Sequence, residues 1–182
     1  NEDLPNFSGA GLYTSKTQHP NEGHIAKSIK QVYASMWNLR AFEEREFYRI
    51  NHFISSMGVL CHPNYSLEKA NGVGVSFDPL YNTGEYFYLN TQVNENLITN
   101  PNANSLPEEI LLTKKNTNDL EFRILRYSNQ TGNDSLIMNQ EYLIQMREFL
   151  SIIQDKFYIL YEVKNGEEFA IDIEYKITQD GQ

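Results

Sequence analysis

A single cysteine, Cys61, excludes both an intrachain disulfide and a cysteine-rich zinc site. Nowhere in the 182 residues does an apolar run approach the roughly 20 residues that span a bilayer, and no basic segment followed by an apolar one opens the chain. Positive charge is scarce: 15 Lys and Arg stand against 24 Asp and Glu, a net charge of -9. A nucleic-acid binder needs a basic face to neutralise phosphates, so this balance argues against that class of partner. A free nucleotide is a different matter, because it needs only a few local cations or a metal held by acids. There is no Walker-type glycine loop, internal repeat or low-complexity tract. Four Asn-x-Ser/Thr sequons begin at Asn6, Asn64, Asn129 and Asn133, and in so Asn-rich a chain they arise by chance.

What is there reads as a mixed chain. Residues 1–20 lack a period and hold Pro5, Gly9, Gly11 and Pro20, as a loop or extended segment would. Ile25, Ile29, Val32, Met36, Leu39 and Phe42 recur at helical spacing and predict one helix from about Gly23 to Arg49. "MGVLCH" at Met57–His62 predicts a short buried strand stopped by Pro63. Further strands are predicted in "NGVGVSFDP", "EYFYLNTQ", "EEILLTKK" and "LEFRILRYS", with a turn at Asn82-Thr-Gly84 and a loop over Ser128–Asp134. Leu143, Met146, Leu150, Ile153, Phe157 and Leu160 then predict a second long helix, and "EEFAIDIEYKIT" a final strand after a turn at Gly166. The order predicts an α+β fold in which a mostly antiparallel sheet packs with two long helices.

The chemistry that stands out is in that last strand. Residues two apart on a strand share a face, so Asp172 and Glu174 point one way while Ile171, Ile173 and Tyr175 point the other. Two carboxylates about 6–7 Å apart repel unless they are solvated or bridged by a cation. One reading is the wet face of an edge strand. The other is a site for Mg²⁺, a hard ion that takes one or two carboxylates and fills its shell with phosphate oxygens and water. None of His19, His24, His52 and His62 lies in a glycine- or hydroxyl-rich loop suited to carrying a phosphoryl group, so no catalytic residue is assigned. Asp78-Pro79 reads as a turn that ends a strand.

A collinear set of stretches covers nearly the whole chain: "NEDLPNFSGAGLY", "VYASMWNLRAFEEREFYR", "MGVLCHP", "ANGVGVSFDP", "YFYLNTQVNENLITNP", "SLPEEILL" and "FAIDIEYKITQDG". Together they resemble the nucleotide-binding region of the phosphoenolpyruvate synthase and pyruvate phosphate dikinase family. The resemblance implies part of an ATP-grasp lobe filling residues 1–182. Within it, 1–22 would be an extended segment, 23–127 a helix plus strands, and 136–182 a helix plus the metal-ligand strand. It implies that Mg²⁺ and ATP bind for phosphoryl transfer to a histidine on another domain, inside a cytoplasmic enzyme of the kinase or dikinase type. The alternative is a non-catalytic interaction or structural domain that keeps a degenerate ATP-grasp fold.

Carried over by position, Asp172 and Glu174 would hold the metal. Arg40 and Arg45 match the family's "RA…R" helix, and are either phosphate contacts or ion-pair partners of Glu43, Glu44 and Glu46. Val59 and Leu60 match the hinge strand, as adenine wall or as core. Glu95 falls in "QVNEN", where relatives carry Gln-x-Gly-Glu; it is a candidate nucleotide or metal contact, with Asn94 standing where a glycine is expected. The chain begins at Asn1 rather than at a methionine, and "QDGQ" ends it at a turn. The expectation is therefore a piece of a longer protein, needing a preceding lobe with Lys and Arg-Ser-Ser, a returning Gln-x-Arg strand and a phosphohistidine domain as partners, and inactive alone. No membrane partner is expected.

Overall fold

The computed structural model describes residues 3–4, 7–9, 11–65, 67–94, 104–115, 120–132, 135–164 and 166–181. The chain divides into two compact units, Asn1–Asn64 and Tyr65–Gln182. Among the described residues no helix is long and apolar enough to cross a membrane.

In the first unit, β1 (Asp3–Leu4) pairs antiparallel with β2 (Phe7–Ser8). Helix α1 (Ala26–Ala34) runs through a 3-10 turn at Ser35–Trp37 and then gives way to α2 (Leu39–Phe47). The single helix predicted over residues 23–49 is thus two nine-residue helices. Asn38 breaks it: its ψ of 144° is extended, and its carbonyl accepts the Phe42 N–H at 2.9 Å to start α2 afresh. The break takes the Met36 carbonyl out of the regular ladder, and the buried guanidinium of Arg45 reaches back to donate to it. Leu39, which an unbroken helix would have placed on the buried stripe, is 70% exposed. The core of this unit is small, with Leu12 and Ala41 packed by Tyr13 and Ile50.

No strand forms over Met57–His62; residues 55–65 are irregular and Leu60 is 86% exposed. A strand exists only as part of a ladder, and none of the described strands pairs with this segment.

The second unit is built on one five-stranded sheet in the order β6-β5-β4-β3-β7, every pair antiparallel. Its strands are β3 (Ala70–Val75), β4 (Tyr86–Val93), β5 (Glu108–Thr113), β6 (Phe122–Arg126) and β7 (Asp172–Ile177). The long helix α3 (Gln140–Leu160) joins β6 to β7, capped by Asn139, whose side chain accepts the Tyr142 N–H at 2.9 Å. The architecture is α+β and ATP-grasp-like, with one long helix rather than two.

Register decides what each face of this sheet carries. Phe87, Leu89, Ile110 and Leu112 meet Leu143, Met146 and Leu150 of α3, and Ile173, Tyr175 and Ile177 join them from β7. Alternate residues therefore turn away from α3. These are Asp172, Glu174 and Lys176 on β7, Asn71, Val73 and Val75 on β3, and Tyr88, Asn90 and Gln92 on β4.

Candidate functional site

The polar face is ordered in rows. Following the pairing across the sheet, one row runs Asp172, Val75, Tyr88, Leu111, Arg123, and the next runs Glu174, Val73, Asn90, Glu109, Arg126. Each begins with a carboxylate on β7 and ends with a guanidinium on β6. Arg126 is already engaged: it donates to Glu109 at 2.7 Å and to the Pro107 carbonyl at 3.0 Å. Arg123 lies over the Tyr86 ring, 5.3 Å from its centroid. Burial, and then the Glu109 carboxylate, hold Tyr88 above the usual tyrosine range, so it sits in its row as a neutral hydroxyl.

Asp172 and Glu174 are exposed on β7 and share this face, as their spacing predicts. Among the described residues neither has a cation within ion-pair distance. The next residue on the same face is Lys176, and it does not pair with Glu174; its ammonium is held by Glu68, whose side chain is buried. The two acids are thus left uncompensated beside a lysine committed elsewhere. In the same corner Asn71 donates to the Asn94 carbonyl at 2.7 Å, and Ser105 Oγ donates to Gln92 Oε1 at 3.1 Å. Two buried polar atoms on this face, Asn90 Oδ1 and Gln92 Nε2, have no hydrogen-bond partner among the described residues. Sequence reasoning missed Glu68, Asn90 and Gln92; the alternation of "YFYLNTQV" puts Asn90 and Gln92 on one face, and is the signal that could have found them.

Of the other predicted residues, Arg40, Arg45, Val59 and Leu60 belong to the first unit. Arg40 is exposed on α2 and, with Glu43, Glu44, Phe47 and Tyr48, lines an open depression; among the described residues it makes no ion pair. Arg45 is 1% exposed and serves its own unit. Besides Met36, it donates from Nε to His52 Nδ1 at 3.0 Å and lies over the Trp37 ring. Because His52 Nδ1 is an acceptor there, Nε2 carries the proton and donates to Glu46 Oε1 at 2.6 Å, while the ring stacks on Phe42. Neither expected role, phosphate contact or pairing with a helix-surface glutamate, matches this internal brace. Arg45→Lys keeps the charge but loses the fork, and should destabilise the first unit by about 2 kcal/mol. Trp37 fluorescence during urea unfolding checks it. Val59 is half-buried and Leu60 exposed, both in the irregular segment, and Glu95 lies outside the described residues.

Asp78 is the strand-ending turn its sequence suggests: one carboxylate oxygen accepts the Leu80 and Tyr81 N–H groups at 2.9 and 3.1 Å. The Asn129 sequon is structurally engaged, its side-chain nitrogen donating to the Asn104 carbonyl at 2.6 Å and its oxygen accepting from Leu106.

The antiparallel α+β lobe, with an acid-bearing strand on its polar face, is ATP-grasp-like. The family model for the pyruvate phosphate dikinase AMP/ATP-binding domain matches residues 1–181, and the chain belongs to that family. No curated protein matches the chain.

Proposed function

We propose that this domain binds Mg-ATP and serves a dikinase-type phosphotransferase that passes a phosphoryl group from ATP to a histidine on another domain. The observation that carries the reading is the pair of uncompensated carboxylates, Asp172 and Glu174, on the polar face of a domain of this family. The donor set fits magnesium. Two hard carboxylate oxygens, with room for water and phosphate, are what Mg²⁺ takes from a protein. When bound, the ion supplies charge neutralisation to the phosphate oxygens.

The chain's own residues do the rest. Asp172 and Glu174 hold the ion's side of the nucleotide. Arg40, exposed and without an ion pair among the described residues, offers a guanidinium to phosphate. Val59 and Leu60 offer apolar wall and main-chain groups to adenine, and Glu95 a contact to the nucleotide or the metal. The cytoplasm is the expected compartment.

Titration of the chain with Mn²⁺, followed by electron paramagnetic resonance with and without ATP, tests the metal assignment. Asp172→Asn and Glu174→Gln should each weaken Mn²⁺ binding about tenfold, with little change in the urea midpoint because both side chains are exposed. Wild-type affinity in both variants would sink the assignment.

A further inference from the structure

We infer that Glu68 is a positioning residue, which holds Lys176 away from Glu174 and so keeps the acid pair free for a divalent cation. The inference rests on the metal-site reading above and assigns a role to a residue outside the metal-ligand pair.

The geometry is specific. Glu174 and Lys176 are two residues apart on β7 and point to the same face, so about 6–7 Å separates their backbones. A lysine stem spans that distance easily. Left to itself, an ammonium beside an uncompensated carboxylate pairs with it, and a paired Glu174 is a poor metal ligand. Yet Lys176 bonds instead to Glu68, which reaches the face from the chain just before β3. Glu68 is 7% exposed. A carboxylate that buried needs its counter-ion far more than an exposed one does, because water no longer solvates it. Among the described residues Lys176 is the cation paired with it, and burial of Glu68 therefore decides which acid wins it. Pairing in the sheet fixes the arrangement further: Lys176 lies opposite Asn71 and Glu174 opposite Val73, so the Glu174 side has no competing donor on β3.

The test is Mn²⁺ binding to the full chain, read by electron paramagnetic resonance at low ionic strength. Glu68→Gln frees Lys176 to pair with Glu174 and should weaken Mn²⁺ binding about fivefold, an effect that shrinks as salt is added. The double variant Glu68→Gln/Lys176→Gln removes the competitor and should return affinity to within about twofold of wild type. A residue that only stabilised the fold would not be rescued by deleting its partner. Unchanged affinity in Glu68→Gln, or no recovery in the double variant, overturns the inference. If Glu68→Gln does not fold, Glu68→Asp replaces it, since the shorter acid reaches Lys176 poorly; wild-type affinity there is equally fatal. Asp172→Asn and Glu174→Gln run in parallel separate the two levels. If they leave Mn²⁺ binding untouched, the metal site itself fails, whereas if they weaken it as expected while Glu68→Gln does nothing, only the positioning role fails.

Discussion

Gly72→Val should unfold the five-stranded sheet, and even Gly72→Ala should cost about 3 kcal/mol. A Cβ built on Gly72 lies 2.1 Å from Cζ, 2.3 Å from Oη and 2.6 Å from Cε1 of Tyr175, well inside any permitted contact. The reason lies in the register. On the α3 side of the sheet Tyr175, Gly72, Thr91 and Glu108 form one row across four strands. The Tyr175 ring crosses above Gly72 to bring its hydroxyl 2.6 Å from Thr91 Oγ1 and 3.8 Å from the Met138 sulfur. Burial pushes the Tyr175 hydroxyl far above the ordinary tyrosine range, so it stays neutral and bonded. A side chain at position 72 forces the ring out of this row. It strands the Thr91 hydroxyl in the core and opens the packing under β7. Trp37 lies in the other unit, so far-UV circular dichroism in urea is the appropriate readout. Trimming the ring in Gly72→Ala/Tyr175→Leu should recover part of the loss. A Gly72→Ala variant within about 0.5 kcal/mol of wild type would contradict the argument.

That row was not legible in the sequence, although its strand was. The alternations in "ANGVGV", "YFYLNTQV" and "DIEYKI" marked β3, β4 and β7, because one face of each is buried and the side-chain period is two. The stripe from Leu143 to Leu160 marked α3 for the same reason at the helical period. The acid pair was visible because spacing alone puts Asp172 and Glu174 on one face. Partners distant along the chain were not. Glu68 and Lys176 are 108 residues apart, and nothing local in either stretch says that they meet. The helix break at Asn38 was hidden because the apolar stripe continues across it; the compensation comes from Arg45, which reads locally as one more surface cation. "MGVLCH" shows the converse failure. Six apolar-rich residues have no periodicity to separate strand from coil, and without a partner strand the segment stays irregular.

Glu108→Ala should destabilise the second unit by about 3 kcal/mol, and the deficit should depend on pH. The sequence offers Glu108 and Glu109 as equivalent neighbours, but β5 turns them to opposite faces. Glu109 pairs with Arg126 on the polar face, whereas Glu108 is fully buried on the α3 side. There its two oxygens accept the Ile137 and Met138 N–H groups at 2.7 and 3.0 Å, tying the chain that leads into α3 to the middle of the sheet. Alanine leaves both N–H groups buried without acceptors. Glu108→Gln is no remedy, because its NH₂ must face one of those two donors. Burial raises the Glu108 pKa above the ordinary carboxylate range, and the two N–H donors only partly offset that. The folded chain therefore holds the proton more tightly than the unfolded one. The stability this group contributes is complete below its unfolded pKa and is lost as pH rises through the folded value. Alanine cannot titrate, so the gap between wild type and Glu108→Ala should be widest near about pH 4 and narrow toward pH 7. Urea midpoints of both proteins across that range decide the matter. A gap that widens with pH would mean that the two N–H groups outweigh burial and that Glu108 is held as the anion.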